Sequence, residues 1–217
     1  LDYHVIKTDE EINKMEVLLV AARKEYLKMY LELIEDCGLR PVVVDSDAFA
    51  ILNAYENNYD VDPSKVTALV NIGHDVTNIT YMAEGLFKAT RDVSAGTREI
   101  YSAIQKEFRL NPELTQKALK GEMADTIDQD MLKATIISST EELVSGIELA
   151  FSYFKSQTKL DAIDWIVLSG GGALVPYLAE YLQSKLGVPL ELANPLRNID
   201  YDPELFQYLQ PEKIAPL

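Results

Sequence analysis

The sequence has little of what metal sites, disulfides and polyanion-binding surfaces require. Its 217 residues include one cysteine and two histidines, His4 and His74, so a zinc site or a histidine-dependent triad has little to draw on. Basic residues are also scarce, with 20 lysines and arginines against 35 aspartates and glutamates, a net charge of −15. This charge repels nucleic-acid backbones and anionic lipid surfaces, which argues against direct binding of either.

Long apolar runs are missing as well. No stretch reaches the ~20 apolar residues that a membrane-spanning helix needs, and the first residues show no signal-peptide pattern. The lone Cys37 lies on an otherwise apolar helix face, which predicts a buried thiol in a reducing compartment. Because the chain begins with Leu1 rather than methionine, we expect it to be a piece of a longer product.

Apolar residues are plentiful, at 47% of the chain, and their period changes near residue 60, where we expect a boundary. Before that point the pattern predicts strands at 2–6, 16–20 and 42–44 and helices at 23–36 and 48–55. We interpret Tyr26, Tyr30 and Leu33 as core residues of the first helix. After the boundary it predicts antiparallel strands at 66–71, 77–82 and 86–92, helices at 97–108, from 112 and at 131–155, an acidic surface loop at 121–130, a strand at 165–168, a helix at 174–186 and a strand at 189–192.

Three consecutive glycines, Gly170, Gly171 and Gly172, follow the strand that begins at Trp165. Glycines let the backbone turn sharply and leave the following amides open to a ligand such as a nucleotide. A tight strand-to-helix turn in a parallel sheet explains the cluster equally well, so both interpretations stand.

A second glycine turn, at residues 73–75, joins the first two antiparallel strands. Its tip can present amides and the Thr77 hydroxyl to phosphate oxygens. A plain hairpin turn is the simpler interpretation, and it leaves His74 as an exposed turn residue rather than a ligand. We interpret Arg91 and Asp92 either as a strand-end ion pair or as phosphate contacts.

The order of these elements resembles the second half of actin-like ATPases and, within that superfamily, the PilM family of type IV pilus assembly proteins, with the cell-division protein FtsA more distant. The segments that carry the resemblance are 17–25, 38–41 with 44–45, 70–73, 90–93, 168–173 and 194–196. The resemblance implies an α/β fold with the actin-like, ribonuclease H-like mixed sheet and a small 1C-like α/β subdomain.

The resemblance also implies a division into subdomains. Residues 1–45 correspond to subdomain 1C, residues 46–60 to a returning part of 1A, and residues 61–217 to 2A and 2B. The N-terminal part of 1A, with the first phosphate loop, and the last helix of 2A are expected to lie outside this chain.

A site for ATP with Mg²⁺ follows from the resemblance, with the turn at residue 73 as the second phosphate loop and the glycine cluster as the adenosine loop. The cofactor-binding residues would be Asn71, Gly73, His74, Thr77, Gly96, Gly170, Gly171 and Gly172; we assign no catalytic residue and no metal ligand. The chain departs from the family where Asn71 replaces an aspartate that could hold a magnesium-bound water. On the 131–155 helix, Gly146 and Glu148 stand where a glutamate and an arginine are usual, and Glu148 would repel phosphate.

PilM-like proteins form a cytoplasmic platform, peripheral to the inner membrane through partner proteins. They bind the N-terminal peptide of the membrane protein PilN between 1A and 1C and communicate with the pilus motor ATPases. The resemblance therefore implies such a scaffold, with self-association and the strands 3–6 and 16–20 as the expected PilN wall. The alternative is an FtsA-like ATPase; because phosphoryl transfer needs a carboxylate or metal near the γ-phosphate, we favour the scaffold.

Overall fold

The computed structural model describes residues 2–10, 13–202 and 204. The chain divides between Asp45 and Ser46 into two compact units. The assignment of these stretches to subdomains 1C, 1A, 2A and 2B stays a prediction. Within the described residues, no helix is long and apolar enough to cross a membrane.

The first unit contains two antiparallel strands, β1 (Asp2–Asp9) and β2 (Lys14–Val20), and one helix, α1 (Lys24–Asp36). Both strands are longer than predicted. In the register of the hairpin, Tyr3 lies opposite Leu19 and Val5 opposite Val17, so these four apolar side chains share one face. All four are exposed, and this set is called the hairpin face below.

Three predictions for this unit are wrong. Tyr26, Tyr30 and Leu33 are exposed rather than core residues, and none of the described residues of α1 is buried. Two strands and one helix offer too little surface to enclose an apolar side chain. Cys37 is exposed because it is the C-cap residue, beyond the last turn of α1. Residues 42–44 do not form a strand in the described structure, since no strand pairs with them there.

The second unit is built on a five-stranded mixed sheet with the order β5-β4-β3-β6-β7. The strands are β3 (Thr67–Ile72), β4 (Thr77–Ala83), β5 (Leu86–Val93), β6 (Trp165–Ser169) and β7 (Leu190–Leu192). The predicted antiparallel run β3-β4-β5 is confirmed. Strand β6 returns parallel to β3, and β7 pairs parallel to β6. Such parallel pairing needs long connections, which the helices supply.

Helices cover both faces of this sheet. The helices are α2 (Asp47–Asn58), α3 (Arg98–Glu107), α4 (Pro112–Leu119), α5 (Gln129–Ser138), α6 (Glu141–Thr158) and α7 (Leu178–Leu186). Leu69 and Val167 pack with α2 on one face, whereas Val70 and Leu168 belong to the larger core with the other helices. Because neighbouring strand residues point to opposite faces, both faces need apolar residues, and the central strands are almost continuously apolar.

Two helix predictions are wrong at their boundaries. The single helix predicted at 131–155 is two helices, because the chain breaks at Ser139 and Thr140. The buried Thr140 hydroxyl donates to the carbonyl of Ile136 at 2.6 Å, and this local bond competes with a continuous helix. The helix predicted from residue 174 begins at Leu178, after a short 3₁₀ turn at 171–174. Val175 is extended because it precedes a proline, which disfavours helical geometry.

Candidate functional site

The two glycine turns meet at one edge of the sheet. Asn71 and Ser169, which are 98 residues apart in the sequence, pair in parallel register near the carboxyl ends of β3 and β6. Gly170 has φ +83°, and a Cβ added there would overlap Oδ1 of Asn71 and lie 2.6 Å from the carbonyl oxygen of Ile72. The turn after β6 therefore packs directly on the end of β3.

Only one of the three clustered glycines faces open space. A Cβ on Gly172 would overlap the side chain of Ile72, so Gly172 is required by the same close approach as Gly170. A Cβ on Gly171 would have no described atom within 4 Å. The contacts thus explain Gly170 and Gly172 as packing residues, and Gly171 is the position open to a ligand.

Gly96 fixes the first turn of α3 against the hairpin tip between β3 and β4. A Cβ at Gly96 would lie 2.5 Å from the carbonyl oxygen of Gly73 and 2.6 Å from that of His74. The Thr97 amide donates to the Gly73 carbonyl at 3.0 Å, and the Arg98 amide donates to the His74 carbonyl at 2.9 Å. The tip therefore supplies acceptors to the start of a helix, a position that otherwise lacks them.

The other donors of the expected phosphate loop also have protein partners. The Gly73 amide donates to the carbonyl of Val76 at 3.0 Å. Thr77 is fully buried, and its hydroxyl donates to the carbonyl of Ala95 at 2.8 Å. The His74 side chain is exposed at the tip. The structure thus brings all eight predicted cofactor residues to the same edge of the sheet, but their assignment to a nucleotide stays a prediction.

A row of polar side chains crosses four strands at the level of Asn71. The Ser169 hydroxyl donates to Asn71 Oδ1 at 3.5 Å, and Asn71 Nδ2 donates to Asn78 Oδ1 at 3.5 Å. Asn78 Nδ2 then donates to Asp92 Oδ1 at 2.8 Å. Sequence reasoning missed Asn78, which the observed register of the β3–β4 hairpin places opposite Asn71.

Arg91 and Asp92 do not form the expected strand-end ion pair in the described structure. The Arg91 guanidinium carbon lies 3.8 Å from the centre of the Tyr153 ring, on the α6 side of the sheet. Asp92 accepts its hydrogen bond from Asn78 on the other side. The prediction is wrong because adjacent strand residues point to opposite faces.

A cavity of about 330 Å³ lies between α2 and the sheet, beside this polar row. Asn71, Ser169 and Asp47 give it a polar end, and Asp47 is the first residue of α2. The remaining lining residues come from α2, the sheet and the segment after β7: Ala50, Ile51, Ala54, Tyr55, Tyr59, Leu69, Val167, Ala193, Asn194 and Pro195. Sequence reasoning missed Asp47 as a cavity residue.

The segment after β7 is hydrogen-bonded to the end of α2. The buried Asn58 accepts a hydrogen bond from the Asn198 amide at 3.0 Å. The Asn194 amide donates to the Tyr59 hydroxyl at 2.7 Å, and the Arg197 guanidinium lies 4.8 Å from the centre of the Tyr59 ring. These bonds also explain why α2 continues to Asn58, three residues beyond its predicted end.

The hydrogen-bond donors around the turn at residue 73 do not by themselves form a binding site for a Mg²⁺-bound triphosphate. The amides of Gly73, Thr97 and Arg98 and the Thr77 hydroxyl are bonded to protein carbonyls. Asn71 offers an amide where a carboxylate would hold a magnesium-bound water. Among the described residues, no group of three or more histidine, cysteine, aspartate or glutamate side chains could hold a metal ion.

The fold is that of actin-like proteins, and the predicted fold class is confirmed. The ethanolamine utilization protein EutJ from Carboxydothermus hydrogenoformans matches at a TM-score of 0.57 and 16% identity, over 79% of this chain and 57% of that chain. MreB5 of Spiroplasma citri bound to AMPPNP matches at a TM-score of 0.56 and 12% identity, over 86% of this chain and 65% of that chain. At such identities the likeness shows the fold alone.

The family model described as type IV pilus assembly protein PilM matches residues 1–214, and the chain belongs to this family. A chain of the PilM–PilN type IV pilus biogenesis complex matches at a TM-score of 0.78 and 25% identity. That match covers 99% of this chain and 62% of the other, so this chain spans less than two thirds of that relative. The resemblance inferred from the sequence is therefore confirmed.

Proposed function

We propose that this chain is part of a cytoplasmic actin-like scaffold in the inner-membrane platform for type IV pilus assembly, and that it binds the N-terminal peptide of a PilN-like membrane protein. The observation that carries the proposal is the likeness to a chain of the PilM–PilN complex over 99% of this chain. A scaffold of this kind needs binding surfaces rather than a reaction centre.

The hairpin face of the first unit supports this proposal. Tyr3 and Leu19, which lie opposite each other, are 65% and 60% exposed. Exposed apolar patches of this kind mark interaction sites. The same two strands form a sheet of only two, and an edge of such a sheet can pair with an extended peptide. Apolar contact and edge pairing together suit a short segment such as a peptide terminus.

Charge indicates what this peptide should contain. A net charge of −15 favours association with a basic segment and disfavours an acidic one. The association rate of the peptide should then fall as salt is added, because screening weakens the long-range attraction.

Calorimetric titration with a PilN-like N-terminal peptide tests the proposal. We expect saturable binding that Leu19→Lys weakens at least tenfold, because a charge would replace an apolar contact. Leu192→Lys is the matched control, since Leu192 is an exposed leucine on β7, outside the hairpin face. Absence of heat and of competition at high peptide concentration would refute the proposal.

Peripheral attachment to the inner membrane through PilN, contact with pilus motor ATPases and self-association belong to the same proposal. Liposome flotation tests the first of these. The chain should float with vesicles only when they carry the PilN-like segment; flotation with bare anionic vesicles would contradict the role of the partner and the repulsion expected from the net charge.

ATP binding without hydrolysis is the second candidate function, and the FtsA-like ATPase is its alternative. The meeting of both glycine turns at one edge favours it, as does the fold shared with actin-like proteins. A ligand that binds only the folded form raises the melting temperature by mass action, so a thermal shift with millimolar Mg-ATP tests binding. If phosphate is released from ATP, the proposal of binding without hydrolysis is wrong. If millimolar Mg-ATP leaves the melting temperature unchanged, the proposal that this chain binds ATP is contradicted.

A further inference from the structure

A groove runs between α6 and β5, the edge strand of the sheet. Its volume is about 480 Å³, and residues 91–95 and one side of α6 line it. Strand β5 pairs with β4 on one side, and no described strand pairs with it on the other. The groove thus combines an unpaired strand edge with an open helix surface, and neither the hairpin face nor the glycine turns account for it.

One stripe of α6 forms the helical wall of this groove. Glu142, Gly146, Leu149 and Tyr153 all line it, and their spacing of four, three and four residues places them on the same side of a helix. A Cβ on Gly146 would overlap the side chain of Val93, so the missing side chain lets α6 approach β5 closely. Leu149 is 72% exposed and Tyr153 is 47% exposed, which leaves an apolar patch open beside the strand edge.

The two ends of the groove differ in chemistry. At one end the Arg91 guanidinium lies over the Tyr153 ring, so this cation already has an aromatic partner. Val93 packs at Gly146, which means that β5 and α6 run in opposite directions here. The exposed Glu142 therefore lies toward the other end, beside the residues that follow Val93. The groove has an apolar end and an acidic end.

We propose that this groove docks an extended peptide segment of another protein, which adds to β5 as a sixth strand. An apolar side chain of the segment lies on Leu149 and Tyr153, and a lysine or arginine lies near Glu142. A second copy of this chain is a poor occupant because both copies carry the charge of −15. Glu142 and Leu149 are seven positions apart on α6, which spans about 10 Å along the helix, and same-face strand residues are about 7 Å apart. The basic residue should therefore stand two or four positions from the apolar one.

A synthetic strand tests this docking. The probe is a blocked, fluorescein-labelled peptide of nine residues, TVTVTKTKT, and its control is TVTVTETET, which has the same length and apolar content. Fluorescence anisotropy should show saturable binding of the lysine peptide and at least tenfold weaker binding of the glutamate peptide. Equal binding of the two peptides, or no binding of the lysine peptide, would overturn the proposal.

N-methylation of the probe distinguishes strand addition from general adhesion. An added strand uses the amides of alternate residues to pair with β5, and the others point away. One probe is methylated at its odd-numbered amides and another at its even-numbered amides. We expect one of the two to lose at least tenfold in affinity and the other to bind almost unchanged. Similar affinities for both would overturn strand pairing.

Paired variants of α6 locate the site. Glu142→Lys should weaken the lysine peptide at least fivefold and bind the glutamate peptide more tightly than the unmodified chain does. Glu141→Lys is the matched control, because Glu141 is also exposed in the first turn of α6 but does not line the groove. Equal effects of both variants would contradict the proposed location.

Two further measurements distinguish this groove from the proposed PilN-binding surface and from a dimer interface. Glu142→Lys should leave the titration with the PilN-like peptide unchanged, so the two binding functions can fail independently. Sedimentation should show no dimer that forms through this groove. If the unmodified chain dimerises and Glu142→Lys abolishes the dimer, the groove binds a second copy of the chain, and the proposal of a peptide from another protein is wrong.

Discussion

The backbone of Gly170 lies against the side chain of Asn71 so closely that any Cβ at position 170 would overlap Asn71 Oδ1. This contact joins the two glycine turns, because Gly170 follows β6 and Asn71 lies near the end of β3. The close contact alone requires a glycine at position 170, whether or not the turn binds a ligand. Substitutions can therefore test the packing role of these glycines independently of nucleotide binding.

Gly170→Ala should destabilise the fold, and Gly171→Ala should not. The first adds a Cβ at φ +83° that overlaps Asn71, which should lower the free energy of unfolding by about 2–4 kcal/mol. The second adds a Cβ with no described atom within 4 Å, and we expect a change below about 0.5 kcal/mol. Urea denaturation of the two variants measures both values; equal losses would contradict the packing explanation.

Asn71→Asp restores the carboxylate expected in the family but should not create an ATPase. The change removes the Nδ2 donor to Asn78 and adds a charge to a row that already ends in Asp92, so we expect a loss of about 1 kcal/mol. The amides around Gly73 stay bonded to protein carbonyls. A phosphate-release assay with Mg-ATP checks the first point and thermal denaturation the second; phosphate release above background would contradict the prediction.

Tyr81→Phe should maintain or raise stability. Tyr81 is fully buried and stacks on Phe154 with ring centres 4.0 Å apart, and its hydroxyl has no hydrogen-bond partner among the described residues. Removing an unsatisfied hydroxyl should change the free energy of unfolding by about 0 to +2 kcal/mol. Tyr59→Phe is the control, because the Tyr59 hydroxyl accepts a hydrogen bond from the Asn194 amide at 2.7 Å and its loss should cost about 1 kcal/mol.

Alkaline pH should amplify the difference between Tyr81→Phe and the unmodified chain. Burial raises the pKa of the Tyr81 phenol well above its usual value, although nearby Arg91 opposes the change. The unfolded chain releases this proton near pH 10 while the folded chain keeps it. Stability from this group is thus present below about pH 10 and is lost as the pH rises further. Chemical denaturation between pH 8 and 11 measures this effect. The free energy of unfolding of Tyr81→Phe should rise relative to that of the unmodified chain only above about pH 10.

Asn58→Ala should loosen the segment after β7 from α2. The buried Asn58 donates to the Ala54 carbonyl and accepts from the Asn198 amide, so its loss should cost about 1–3 kcal/mol. Hydrogen exchange of the Asn198 amide should accelerate at least tenfold. Asn57→Ala is the control, since the exposed Asn57 side chain bonds only within α2 in the described structure, and exchange at Asn198 should stay unchanged.

Cys37 should react with a thiol reagent in the native protein. It is the only cysteine of the chain and is exposed at the end of α1. We expect one thiol per chain to be modified without denaturant, because the Cys37 side chain is exposed to the reagent. A thiol that reacts only in denaturant would restore the earlier expectation of a buried cysteine.

Elements with local signals were predictable from the sequence. The antiparallel strands β3, β4 and β5 were predicted within one residue at each end, because short glycine-containing turns bound each run of strand-favouring residues and allow only antiparallel pairing. The start of α4 at residue 112 was predicted as well, and it is also set locally: Asn111 Oδ1 accepts a hydrogen bond from the Leu114 amide at 2.9 Å. Apolar stripes alone did not show whether a helix is buried, and α1 is exposed.

The sequence by itself determined the family, the two glycine turns and the order of the elements apart from the strand at 42–44 and the break between α5 and α6, since periodicity and motifs are properties of neighbouring residues. The tertiary structure decided which glycines are packing residues, where Asp92 and Arg91 point, and that Asn71, Asn78 and Ser169 form one polar row. These features depend on which strands lie side by side. Contacts between residues about 100 positions apart follow from the parallel return of β6 rather than from any local pattern.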